Sequence, residues 1–493
     1  MPSVTRRIHL QAPAGDVLAD QLAAIRREQH LPDAFAPELE AAARQAAAQP
    51  RLPALDRSDL PLLTIDPPGA MDLDQALHAE RHAAGYRVHY AIADVAAFVA
   101  PGDALDRESR QRGETLYGAD SKIPLYPRVL SEDAASLLPG QRRPALLWTI
   151  DLDAAGEIAA IDVRRACVTS RARLDYAGVQ AQIDAGRADP MWQLLREIGQ
   201  LRQARERARG AVSLPLPEQE VGMRDGRWTL DYRARLPVED WNEQISLLTG
   251  MAAARLMVAA KLGLLRTLPP PAPADLEHLR RIARVLAIDW PPRIGYADLL
   301  RTLDPARDTH VALLTAATRV FRGAGYAAFD GQLPADYLQA AVAAPYAHAT
   351  APLRRLVDRY VGEVCVALCA NTPVPDAVRA VLPTLPAVMQ ASAHRAREYE
   401  KAVLDLAEAS LLSERVGECF DGAIVGVAAD DPRHGTVLLR APAVEAALTS
   451  DAALSLGADA RVRLVEADPA RRRVRFALDR LVQLPAAAAV APA

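Results

Sequence analysis

The chain has 493 residues, half of them hydrophobic and 24% charged, with a formal net charge of −4. That length exceeds one ordinary core, so roughly two to four domains are expected. The slightly negative balance excludes a globally basic nucleic-acid binder, and any such binding has to rest on local patches.

The start, MPSVTRRIHL, lacks the apolar core of a signal peptide. No apolar run reaches the roughly 18 residues that span a membrane. A reducing cytoplasm and no membrane association are expected. Residues 13 to 50 are rich in Ala, Leu, Glu and Arg and read as two helices broken near LPDAFAP, a small lead-in that is not a β domain. A strand-rich region follows. Thr64-Ile65-Asp66 reads as the end of a strand, and RVHYAIADVAAFV (87–99) has the β-branched and aromatic content of a buried one. Residues 143–170 read as two strands joined by a turn at AAGE.

From about 240 the apolar period becomes helical. Ile245, Leu248, Ala252, Leu256 and Ala259 form one stripe. A second long helix is expected with Leu353, Leu356, Tyr360, Val364 and Leu368 aligned, and a third over 386–413. Cys365 and Cys369 lie in this apolar pattern with no partner pair at zinc-site spacing, so they read as free thiols. After Glu414, short alternating segments separated by turns suggest a small barrel. The end, LPAAAAVAPA, is low in complexity and reads as disordered.

One stretch, IDPPGAMDLDQAL (65–77), holds Asp66, Asp72 and Asp74 in an apolar setting. Asp66 precedes a proline and stays extended, and PPGA is a turn signal. In the extended chain beyond it, Asp72 and Asp74 face one way while Met71 and Leu73 face the core. The turn brings Asp66 back beside them. Like charges in a half-buried place repel unless a cation sits among them. Carboxylates suit Mg²⁺ or Mn²⁺, which activate water and stabilise phosphoryl transition states. The alternative is that each Asp caps a turn or pairs with an Arg.

A second constellation is PYAHATAPLRRLVDRY (345–360). Thr350 and Pro352 are helix-start signals, which puts Arg354 and Arg355 in the first turn. Cations there oppose the helix dipole unless an anion is present, so two guanidiniums at a helix start suit a phosphate. The alternative is a pair between Arg354 and Asp358. His348 reads as a hydrogen-bonded structural residue. Arg461, Arg463, Arg471, Arg472, Arg473 and Arg475 fall on the barrel segment. They form either a basic face for single-stranded nucleic acid or a solvated strand face.

Together these pieces resemble the ribonuclease II family, also called the RNB family, from about Leu31 to Leu478. The acidic stretch matches the family signature, and HYAIADVAAFV resembles the strand just downstream. YGADSKIPLYPRVLSED, ARLDYAGV, NEQISLL and YAHATAPLRRLVDRY each resemble a family segment. The resemblance implies an α+β multidomain fold: an RNB-type catalytic domain of mixed β-sheet with packed long helices, a small N-terminal helical module and a C-terminal OB-fold barrel. The expected boundaries are 1–55 for the helical module, helix-turn-helix-like, 56–412 for the catalytic domain, 413–482 for the OB-fold and 483–493 for a disordered tail.

The resemblance further implies a 3′-to-5′ exoribonuclease that uses Mg²⁺, or Mn²⁺, to hydrolyse RNA to nucleoside 5′-monophosphates. Asp66, Asp72, Asp74 and Gln75 would hold the metal, with Asp74 and Arg354 catalytic. Tyr117, Tyr176, Glu243, Arg354 and Arg355 would contact RNA. From the residues alone, the two tyrosines read as packing. The expected partner is a single-stranded RNA 3′ end, or a 3′ overhang beside a duplex, bound by a monomer. The sequence departs from the family pattern in three places. Gln75 stands where a fourth Asp is usual, Ala351 where a Ser is usual, and the two N-terminal cold-shock-type barrels are not expected. The rival reading is a weakened or inactive RNB-like RNA-binding protein.

Overall fold

The structure is a computed structural model, and it describes residues 7–8, 16–32, 34–119, 121–187, 189–214, 218–224, 227–439 and 441–481. The expected tail at 483–493 lies outside them. A short strand, β1 (Arg7–Ile8), precedes helices α1 (Asp16–Glu28) and α2 (Pro37–Ala48). Pro37 at the first helical position, with Glu38 and Glu40 in the first turn, suits the start of α2. Three strands follow, β2 (Leu62–Asp66), β3 (Gln75–His82) and β4 (Gly85–Ala93). After α3 (Ala104–Arg112) comes a two-stranded ribbon, β5 (Leu116–Tyr117) and β6 (Lys122–Ile123), and then the long strands β7 (Arg142–Leu152) and β8 (Ile158–Asp175).

The five longer strands close into a barrel in the order β2-β3-β4-β7-β8. β2 runs parallel to β8 and the other neighbours are antiparallel, so the expected mixed sheet is a closed one. Leu62, Val88, Trp148 and Ile150 are fully buried in its core. Each contributes on the order of 1.5–3 kcal/mol by leaving water. The strand expected to run to Val99 stops at Ala93, and a 3-10 turn over Val95–Ala97 follows. At the break, the buried Asp94 carboxylate pairs with Arg165 at 2.9 Å.

Helices α4 (Tyr176–Asp184) and α5 (Pro190–Ala208) lead to the hairpin β9 (Glu218–Arg224) and β10 (Arg227–Arg233). β1 pairs with β9, so a strand does precede the two helices. Helix α6 (Pro237–Ala260) buries Ile245, Leu248 and Ala252 of the expected stripe, while Ala259 is exposed at its end. β11 (Leu262–Thr267) pairs with β12 (Gly325–Asp330) across α7 (Pro273–Val285), α8 (Tyr296–Thr302) and α9 (Asp308–Ala317). Next come α10 (Leu356–Cys369), α11 (Asp376–Val381) and the long α12 (Leu385–Leu412). Cys365 is buried and Cys369 partly buried, both as free thiols. Leu22 and Ile25 of α1 pack against Tyr399, Val403 and Leu406 of α12.

A second closed barrel, β13-β14-β15-β17-β16, ends the described chain, with β13 (Cys419–Val427), β14 (His434–Leu439), β15 (Glu445–Thr449), β16 (Asp459–Asp468) and β17 (Arg473–Leu481). Its arginines do not form a bare basic face. Arg461 pairs with Asp421, Arg463 with Asp479, Arg471 with Asp468, and both Arg473 and Arg475 with Glu466. Arg472 reaches Glu28 of α1 at 2.6 Å. Among the described residues no helix is long and apolar enough to cross a membrane.

The segment before α10 leans on α6 at a glycine. A Cβ at Gly250 would lie 2.2 Å from Tyr346 Cε2 and 2.5 Å from the Ala347 carbonyl oxygen. Ala347 N also donates to Gly250 O at 3.1 Å. Gly250→Ala is therefore expected to lower stability by about 1–3 kcal/mol, read as an earlier denaturant midpoint. An unchanged midpoint would mean that the two backbones do not meet this closely.

Candidate active site

The acidic residues sit at one end of the first barrel. Asp66 ends β2, opposite Asp175 at the end of β8, and Gln75 begins β3. Between them Ala70 N donates to Pro67 O with Gly69 at φ 81, the geometry of a type II turn. Arg173 Nη1 donates to the Ala70 carbonyl at 3.0 Å. The following stretch is fixed from two sides. Ser136 Oγ accepts from Leu73 N and donates to Met71 O, and Leu137 N donates to Leu73 O. From the barrel, Ala93 N donates to Asp74 O. Leu73 is fully buried as expected, but Met71 is 40% exposed. The alternation fails at Met71 because the chain has only just left the turn there.

The arginine segment differs from its expected form. α10 begins at Leu356, so Arg355 stands at its N-cap and Arg354 before it. Leu353 N donates to Asp74 Oδ1 at 2.8 Å. Asp358 accepts from Ala351 N and holds Arg355 through two hydrogen bonds, at 2.9 and 2.8 Å. The pair at this turn is thus Arg355 with Asp358, not Arg354 with Asp358. Arg354 Nε lies 3.5 Å from Asp74 Oδ2, and its side chain remains 45% exposed.

Segment 113–117 runs alongside. Leu356 N donates to Gly113 O, and Thr115 N donates to Arg354 O. This pairing sets Tyr117 near Arg354, where burial pushes its phenol well above the ordinary value while Arg354 pulls it down. Tyr176 opens α4, directly after Asp175, and its hydroxyl accepts from Asn242 Nδ2 at 3.0 Å. On α6, which carries Asn242, Glu243 accepts from Arg235 at 2.7 Å, and Ser246 Oγ shares a 2.7 Å hydrogen bond with Thr350 Oγ1. His348 Nδ1 shares a 2.6 Å hydrogen bond with Tyr326 Oη, the structural role expected of it. Burial, with Arg355 and Arg266 nearby, holds His348 well below its usual pKa and therefore neutral.

Three participants were not singled out in the sequence. Lys122 lies 2.7 Å from Asp72 Oδ1 and 3.0 Å from Glu132 Oε1. Tyr90 Oη donates to Gln75 Oε1, while Gln75 Nε2 donates to the Thr350 carbonyl at 2.6 Å. Both ends of the Gln75 amide are therefore engaged. A lone Lys in a two-residue strand and a Tyr within an apolar strand carry no local signal of such roles.

The electrostatics leave two carboxyls short of positive charge. Burial raises Asp66 to about 7, against the pull of Arg354 and with a further push from Asp72. Burial likewise raises Asp74 to about 8, against Arg354 and the Leu353 amide. Asp66 Oδ2 is buried with no hydrogen-bond partner. Among the described residues no group of three or more acidic, histidine or cysteine side chains is arranged to hold a metal. The donors fit one hard cation at Asp66 and Asp74, whose oxygens are buried and undercompensated. Asp72 is engaged by Lys122, and the Gln75 carbonyl oxygen already accepts a hydrogen bond from Tyr90.

Fold and site define a multidomain α+β protein with a buried acidic centre at one end of a barrel, faced by an arginine turn, and with a small barrel following it. The chain belongs to the RNB-domain family, whose model matches residues 55–370, and the RNase II-type exonuclease C-terminal S1 domain matches 418–479. The human exosome complex exonuclease RRP44 is 30% identical over 345 residues, which cover 65% of this chain and 35% of that protein. The chain thus spans about a third of that relative's length. In structure it is similar to Mycoplasma genitalium RNase R, solved in complex with ribose-methylated single-stranded RNA, with a TM-score of 0.83 at 18% identity over 94% of this chain and 78% of that one. It is also similar to yeast Ssd1, a pseudonuclease, with a TM-score of 0.68 at 16% identity over 87% and 55%. Nucleases of this family depend on divalent metal ions.

The raised carboxyls make a stability prediction. Folded Asp66 and Asp74 keep protons that the unfolded chain, with its ordinary carboxyl value of 3.8, releases. The metal-free protein should therefore lose stability as pH rises from about 4 to about 8. Asp74→Asn removes one of these titrations, so its melting temperature in chelator should fall less over that window than that of the wild type. Equal slopes would show that Asp74 is not held protonated.

Proposed function

We propose that this protein is a 3′-to-5′ exoribonuclease that hydrolyses the terminal phosphodiester of RNA and releases nucleoside 5′-monophosphates. The observation that carries this reading is the meeting of Asp74 with Leu353 N and Arg354 Nε, which faces a cation-seeking carboxyl with an exposed guanidinium. Asp66 and Asp74 would hold a divalent ion, Mg²⁺ or Mn²⁺, which when bound supplies Lewis-acid stabilisation of the phosphate and a more acidic water. Water adds to phosphorus and the bond to the 3′-oxygen of the preceding nucleotide breaks. That oxygen takes up a proton and becomes the new 3′-hydroxyl. The Arg354 guanidinium neutralises charge that grows on the phosphate oxygens. Arg355, held by Asp358, keeps this turn in shape behind Arg354 and adds positive charge near the phosphate. Tyr117 and Tyr176 stack on the terminal bases, which holds any base without reading its identity. Asn242 fixes the Tyr176 hydroxyl, and Glu243 on the same helix borders the RNA path. Single-stranded RNA ends are the substrate class, including a 3′ overhang beside a duplex, and the protein acts as a monomer.

With labelled single-stranded RNA and Mg²⁺, Asp74→Asn should slow mononucleotide release by about two orders of magnitude or more, and Arg354→Ala by about 100-fold. Wild-type rates from Asp74→Asn would sink the assignment. A second reading, an RNA-binding protein without catalysis, is favoured by Gln75, whose amide is fully engaged where the family usually has an Asp. It predicts that the wild type retains RNA without Mg²⁺-dependent release of mononucleotides.

A further inference from the structure

The β5–β6 ribbon sets Lys122 directly across from Tyr117. Cross-strand partners project to the same face, so the lysine shares the side of the ribbon on which Tyr117 meets the acidic loop. Lys122 Nζ lies 2.7 Å from Asp72 Oδ1 and 3.0 Å from Glu132 Oε1, and the side chain is only 15% exposed. A cation of the chain's own thus occupies the Asp72 corner of the site. Gln75 brings no charge and is already hydrogen-bonded at both ends. Its amide NH₂ is spent on Thr350 O, and its carbonyl oxygen accepts from Tyr90. Within the acidic loop, Asp66 Oδ2 is a carboxylate oxygen left buried without a hydrogen-bond partner, and Asp74 is buried as well.

We infer that Lys122 is a built-in counter-cation that limits the acidic centre to a single divalent ion, held by Asp66 and Asp74, and keeps Asp72 as an ion-pair partner rather than a bridging ligand. An ammonium within hydrogen-bond reach of Asp72 repels any second ion that would share that carboxylate, and it satisfies the charge such an ion would be drawn by. Glu132 anchors the ammonium from the other side, so the lysine does not depend on Asp72 alone to stay in place. The inference rests on the metal reading proposed above, and the experiment separates the two.

The test is a titration of the full-length protein with Mn²⁺, counting bound ions from the loss of the free-ion electron paramagnetic resonance signal. Wild type should take up one ion per chain, Lys122→Met two, and Lys122→Arg, which keeps the charge, one. Two ions in the wild type, one in Lys122→Met, two in Lys122→Arg, or loss of the single ion from Lys122→Met would each overturn the role given to Lys122. No ion in any of the three proteins would instead overturn the metal reading itself.

Discussion

The site depends on one hydrogen bond, from Leu353 N to Asp74 Oδ1 at 2.8 Å, which joins residues 279 positions apart. A buried amide donating to a neutral carboxyl contributes on the order of 0.5–1.5 kcal/mol, and to an ionised one about 1.5–3 kcal/mol. Its structural consequence is larger than those figures. By taking the Leu353 amide, Asp74 fixes the turn that precedes α10, which begins at Leu356. The non-helical turn then turns Arg354 toward Asp74 and leaves Arg355 to Asp358.

Around that bond the molecule sorts its charges unevenly. Asp72 has an ammonium, Asp74 has an amide and a guanidinium, and Asp66 has a buried oxygen with nothing opposite it. An unpaired buried carboxyl is costly, and protonation is the cheap way out. The rise of Asp66 and Asp74 toward neutrality is that escape. Rigidity elsewhere makes the arrangement tolerable. Asp106 of α3 accepts from Tyr360 Oη at 2.8 Å and also binds Arg359, which ties α10 to α3 and the chain beside the barrel. The arginine turn is then carried on a helix that cannot drift away from the acidic loop.

Much of this was legible in the residues. Alternation and β-branched content marked β4, β7 and β8, helical stripes marked α6, α10 and α12, and the short segments after Glu414 marked the second barrel. These are periodic signals that each segment carries by itself. The hairpin β9–β10, the pair β11–β12 and helices α7 to α9 went unread. The site was legible as composition, three aspartates and an arginine pair, but not as pairing. Which arginine meets Asp358 depends on where the helix starts, and which one meets Asp74 depends on a contact 279 positions away in sequence. Lys122 was invisible for the same reason, since its partner Asp72 is 50 positions upstream. In the second barrel the sequence shows the arginines but not their acids, because Asp421 and Glu466 lie across from them on paired strands.

Gln75 shows why a single substitution here is not a simple loss of charge. The Thr350 carbonyl points at position 75, and the Gln amide supplies the hydrogen it needs. An ionised carboxylate in its place would set acceptor against acceptor, with a lost hydrogen bond at a half-buried site. The Tyr90 hydroxyl would be satisfied by either residue, so it does not decide the matter. What the amide gives up in cation affinity it returns as connection, joining the start of β3 to β4 on one side and to the arginine turn on the other. Thr350 in turn meets Ser246 of α6. Position 75 therefore belongs to the scaffold that keeps the arginine turn over the acidic loop.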